Sequence, residues 1–78
     1  MTFGDFKNRL ARKYNIAVVQ LHGQSVLVFR RTIGNQILKA DHPPLPEDEE
    51  MTDDLMHKIC RKLDVNPAAL GIPPLRFP

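Results

Sequence analysis

Apolar residues open the chain at a helical spacing: Phe3, Phe6, Leu10 and Tyr14 recur close to every 3.6 residues, with Lys7, Arg9, Arg12 and Lys13 spread over the remaining surface. Thr2 followed by Asp5 is an N-cap signal, because the hydroxyl accepts a free backbone N–H and the carboxylate suits the positive end of the helix dipole. Asn15 is a suitable exit residue. The period then changes. Ile16–Leu21 and Ser25–Arg30 are rich in β-branched residues and are separated by three residues that include Gly23, which predicts a hairpin with a tight turn at His22-Gly23-Gln24-Ser25. A third run, Gln36–Ala40, follows Ile33-Gly34-Asn35, where Gly and Asn supply turn chemistry. The two central runs are apolar on both faces. Either helices cover one face and a partner the other, or the sheet bends strongly.

Residues 41–50 break the pattern. Three prolines remove backbone donors and the acidic run Glu47–Glu50 repels itself, so an extended exposed loop is expected from Asp41 onward. Thr52 or Asp53 then caps a second helix whose apolar stripe is Leu55, Met56, Ile59, Cys60 and Leu63. Asp53 and Asp54 suit its first turn, and Lys58, Arg61 and Lys62 its later ones. Asn66-Pro67-Ala68-Ala69-Leu70-Gly71 repeats the grammar in miniature: a cap, a proline at the first helical position and a stop glycine. Residues 52–71 also have the order of a helix-turn-helix, but Pro67–Leu70 is too short and too poor in base-contacting side chains to read DNA.

The expected fold is α+β in the order α-β-β-β-α, a three-stranded antiparallel sheet with two helices on one face and a short extra helical turn near the C-terminus. One domain is expected over residues 1–71, with an irregular tail at 72–78 that lays Ile72, Leu75 and Phe77 onto the body.

Composition narrows the class. At 42% hydrophobic and 26% charged residues, the 78-residue chain has the make-up of an ordinary globular protein. Its one cysteine, Cys60, excludes an internal disulfide and fits a reducing compartment. The first five residues lack the basic and apolar regions of a signal peptide, and no apolar run approaches the ~20 residues that span a bilayer. A cytoplasmic location without membrane contact is expected. The net charge of +2 conceals an asymmetry. Residues 1–42 hold seven cationic and two anionic side chains, and residues 43–78 hold four and seven. A basic half on a near-neutral protein suits phosphate, although charges also simply solvate exposed faces.

No phosphate-loop, zinc or serine-hydrolase pattern is present, and nothing in the sequence calls for a metal or a cofactor. His57 borders the stripe of the second helix, and Cys60 lies on the stripe, where packing explains it better than nucleophilic chemistry. His22 and Ser25 flank the first hairpin turn. Arg30, Arg31 and Lys39 end or flank strands, where they either grip a phosphate backbone or protect sheet edges from pairing.

Three stretches carry a resemblance: Leu21-His22-Gly23-Gln24-Ser25-Val26-Leu27-Val28-Phe29-Arg30, Ile37-Leu38-Lys39-Ala40-Asp41-His42, and Met51–Leu70 with its helix, break and terminal turn. In order and spacing the chain resembles, over residues 3–70, the HicA (YcfA-type) toxins. These are mRNA interferases with a double-stranded-RNA-binding-like fold, neutralised by a HicB partner. The resemblance implies RNA and a HicB-like antitoxin as partners. It also implies an RNA- or partner-binding surface at Gly23, Ser25, Arg30, Arg31 and Lys39. One departure stands out. The family's turn reads glycine, a small residue, then the histidine associated with cleavage; here Gly23 matches, Gln24 follows, and Ser25 stands where the histidine belongs. His22 lies on the other side of the glycine, and a shift of that kind changes the face on which a side chain emerges. His42 matches a histidine that the family often carries after its third strand.

Cleavage through the ribose 2′-hydroxyl needs a base at that hydroxyl and an acid at the leaving oxygen, roles that fall to His22 and His42 if the chain cleaves at all. The expectation is therefore an RNA-binding domain of toxin–antitoxin type whose endoribonuclease activity is weakened or lost. The alternative is a non-catalytic protein-interaction or inhibitor module, of phage or bacterial kind, that engages a protein through the sheet or the acidic loop.

Overall fold

A computed structural model describes residues 1–20, 23 and 25–75. Helix α1 (Phe3–Tyr14) begins as its sequence requires, with Thr2 Oγ1 accepting the Asp5 N–H at 3.2 Å and Asn15 closing it in the left-handed conformation. Four N–H groups at a helix start need partners. Thr2 supplies one, its hydroxyl accepting from Asp5, while its carbonyl starts the regular helix ladder at Phe6. Two more come from the acidic segment: Phe3 N–H donates to the Glu49 carbonyl and Gly4 N–H to the Glu47 carbonyl, both at 2.8 Å. Lys7 adds an ion pair with Glu47 and lies over the Phe3 ring. The expected loose connector is thus a strap that caps the first helix with its backbone while Glu47–Glu50 remain exposed.

Three antiparallel strands follow in the order β1 (Ala17–Gln20), β2 (Leu27–Ile33), β3 (Gln36–His42). β1 and β2 form the expected hairpin, with Ala17 opposite Arg30 and Gln20 opposite Leu27. Of the expected four-residue turn, His22 and Gln24 lie outside the described residues. A tight turn joins β2 to β3. Ile33 pairs with Gln36 across Gly34-Asn35, and Gly34 has φ 56° at the first central position, as a two-residue II′ turn demands. β2 starts two residues later than the sequence suggested and runs three further. β3 takes in Asp41 and His42, so the loop begins only at the first proline.

Alternation along β2 divides the sheet into two faces. Leu27 and Phe29 are buried on one, with Val18 and Ala40 beside Phe29 in the register. Phe29 is fully enclosed, its ring 6.2 Å from both Phe3 and Phe6, edge-on to the first. Helix α2 (Asp53–Lys62), capped by Thr52, brings Met56, Ile59 and Cys60 onto the same core. A 3-10 turn, η1 (Pro67–Leu70), adds Leu70. The buried Ile72 extends the core into the tail, and His57 Nε2 donates to the Pro73 carbonyl at 2.7 Å. Both helices therefore lie on one face of the sheet, as expected from the sequence. No helix of the described residues is long and apolar enough to cross a membrane.

Candidate nucleic-acid interface

The other face of the sheet is open. Its side chains come from the alternate positions of the strands, and the register arranges them in rows. Ala17, Arg30 and Lys39 form one row, Val19, Val28 and Asp41 the next, and Thr32 with Ile37 a third at the far end. Val19, Val28, Arg30, Lys39 and Asp41 line a shallow depression of about 340 Å³. Val19 and Ile37 are each nearly half exposed (48% and 47%), large apolar surface for a domain this small.

Arg30 and Lys39 stand directly opposite one another. Like charges directly opposite one another destabilise a sheet. Neither forms an ion pair among the described residues. Lys39 lies on an edge strand, where a cation also discourages unwanted pairing. That explanation fails for Arg30, because β2 is the central strand and has no free edge beside it. An exposed cation pair in mid-sheet suits an anionic partner.

Arg31 parts company with its neighbour. One residue along a strand reverses the side-chain direction, and the Arg31 guanidinium turns to the helices. It donates to the Leu63 carbonyl at 2.9 Å and the Asp64 carbonyl at 2.6 Å, and packs 4.8 Å over the Tyr14 ring. Those carbonyls close α2, where Asp64 takes φ 54° and Val65 N–H reaches back to Cys60. A fixed positive charge at the negative end of a helix is a structural clamp.

His42 is also on the helix side, opposite Leu27 and half-buried. Its Nδ1 lies 2.7 Å from the Pro43 carbonyl, which only accepts, so Nδ1 carries the proton and Nε2 is the remaining ring nitrogen. A cleft of about 40 Å³ between β3 and α2 is lined by His42 together with Asp41, Lys58 and Lys62. Beyond suiting the dipole of α2, Lys58 and Lys62 are four residues apart and so share one helix face, a signal that is present in the sequence. His57 does not line that cleft.

The candidate residues thus fall into separate places. Arg30 and Lys39 share the open face; Arg31 and His42 face the helices. Gly23 and Ser25 are exposed in the β1–β2 connection, at the sheet end where Gln20, Leu27 and His42 lie in one row. His22 lies outside the described residues. Burial pushes the Cys60 thiol up to about 11, so it holds almost no thiolate at neutral pH and acts as core packing. Comparison with known proteins found no matching family model, no matching curated protein and no matching solved structure.

Proposed function

We propose that this chain is a HicA-like RNA-binding domain of toxin–antitoxin type, acting in the cytoplasm, in which mRNA cleavage is weakened or lost. The observation that carries this reading is the Arg30–Lys39 pair, two cations opposed on an open sheet face, neither in an ion pair among the described residues. Phosphates spaced along a strand satisfy such a pair, and the counterions released on contact drive binding. Support for lost cleavage comes from the resemblance and from the position of His42. Ser25 occupies the place of the family's turn histidine, and His42 faces the helices, with the sheet between it and Arg30 and Lys39. A HicB-like protein covering the exposed Val19 and Ile37 is the corresponding partner.

Fluorescence anisotropy with labelled duplex RNA tests the binding surface. Affinity is expected at about 50 mM salt and should fall steeply as salt rises. The Arg30→Ala/Lys39→Ala variant should bind more weakly, and its plot of log affinity against log salt should be shallower by about 1 to 2 units. Unchanged affinity and slope in this variant would remove the sheet face from the account.

The apolar part of the same face favours a second reading, a protein-interaction or inhibitor module without RNA affinity. It predicts one specific protein partner and a flat anisotropy titration.

A further inference from the structure

On the helical side of the molecule, α1 and η1 enclose a depression of about 320 Å³ lined by Arg9, Arg12, Lys13, Ala69, Leu70 and Gly71. Three of these six residues are cations, and no carboxylate lines it among the described residues. Positions 9, 12 and 13 are neighbours on one helix face, where like charges repel. Arg12 and Lys13 lie in the last turn of α1, where the dipole favours positive charge. The dipole does not account for Arg9. Its Nη1 donates to the Leu70 carbonyl at 2.6 Å, which fixes the guanidinium against η1. Gly71 permits that approach, since a Cβ there would lie 2.9 Å from the same nitrogen. Two exposed cations, Arg12 and Lys13, line the same depression, and neither forms an ion pair among the described residues.

We propose that this depression binds the phosphate of a nucleotide, with Arg9, Arg12 and Lys13 holding the phosphate and the nucleoside lying against the exposed Ala69 and Gly71. Planar guanidinium groups match phosphate oxygens bidentately, and the concavity is at the lower end of the ~300–1,000 Å³ range of small-ligand sites. The occupant is either a free nucleotide or the 5′-phosphorylated end of an RNA strand, which present the same group. The site is on the opposite side of the sheet from Arg30 and Lys39, so it does not depend on the open face binding RNA.

The test is an NMR titration of the ¹⁵N-labelled protein with 5′-AMP, adenosine, inorganic phosphate, and one trinucleotide with and without a 5′-phosphate. AMP should shift the amides of residues 9–13 and 69–71, phosphate should shift part of that set, and adenosine should shift none. Arg12→Ala/Lys13→Ala, two exposed positions whose loss leaves the rest of the spectrum in place, should weaken AMP about tenfold or more. Arg61→Ala, an exposed cation of α2, should not. A 5′-phosphorylated trinucleotide that outcompetes AMP identifies an RNA end; equal affinity identifies a free nucleotide. Absence of shifts with millimolar AMP, equal shifts with adenosine, or wild-type AMP affinity in the double variant overturns the proposal.

Discussion

Phe29→Ala is expected to destabilise the domain by about 3–5 kcal/mol, the usual cost of emptying a fully buried aromatic site. The ring is enclosed on the central strand between Phe3 and Phe6, so its loss leaves a cavity that α1 cannot close without leaving the sheet. A domain of this length has roughly 4–12 kcal/mol in total, at about 0.05–0.15 kcal/mol per residue. The variant should therefore unfold at a much lower urea concentration by circular dichroism, or be largely unfolded at once. Val19→Ala, on the other face of the neighbouring strand, should stay within about 0.5 kcal/mol of wild type. If Phe29→Ala and Val19→Ala shift the midpoint equally, the two faces have been assigned wrongly.

The second large effect is expected at Arg31. Its guanidinium satisfies the Leu63 and Asp64 carbonyls and lies over Tyr14, so Arg31→Ala removes two charge-assisted hydrogen bonds and a cation–π contact together. Hydrogen bonds to charged groups contribute about 1.5–3 kcal/mol each when buried, and Arg31 is half-exposed to water. A loss of about 2–3 kcal/mol in urea unfolding is the expected result. Hydrogen exchange should also quicken at Leu63–Val65, where the end of α2 loses its clamp. A loss below about 0.5 kcal/mol, with exchange unchanged there, would return Arg31 to the set of surface cations.

Arg31 and its neighbour Arg30 show what the sequence carried and where it stopped. Both helices were legible because their signals are local: an apolar stripe, Thr2 with Asp5, Thr52, and Asn66-Pro67 with Gly71 all act within a few residues. The strands were legible as runs but less so at their ends. Thr32 and Ile33 belong to β2 only because Ile37 and Gln36 pair with them across Gly34-Asn35, and a pairing partner is not written into the run itself. The strap was invisible for a related reason: it caps α1 with the carbonyls of Glu47 and Glu49, and a carbonyl carries no side-chain signature. At the candidate site, Arg30, Arg31 and Lys39 are alike in the sequence as cations that end or flank strands. Strand alternation alone separates Arg30 from Arg31, whereas the facing of Arg30 and Lys39 required the register. The depression at α1 and η1 joins residues 9–13 to 69–71, and only the packing of the chain brings them together.

The proposed function requires that RNA be held without being cut. The most direct measurement mixes the wild-type protein with a 5′-labelled RNA containing a stem and single-stranded arms, then divides the sample between a native and a denaturing gel. The account predicts a retarded complex on the native gel and full-length RNA on the denaturing one, after an incubation long enough for an active interferase to digest the strand. Unretarded RNA at low salt would contradict the binding surface. A retarded band that yields discrete fragments would restore the nuclease and return attention to His22 and His42.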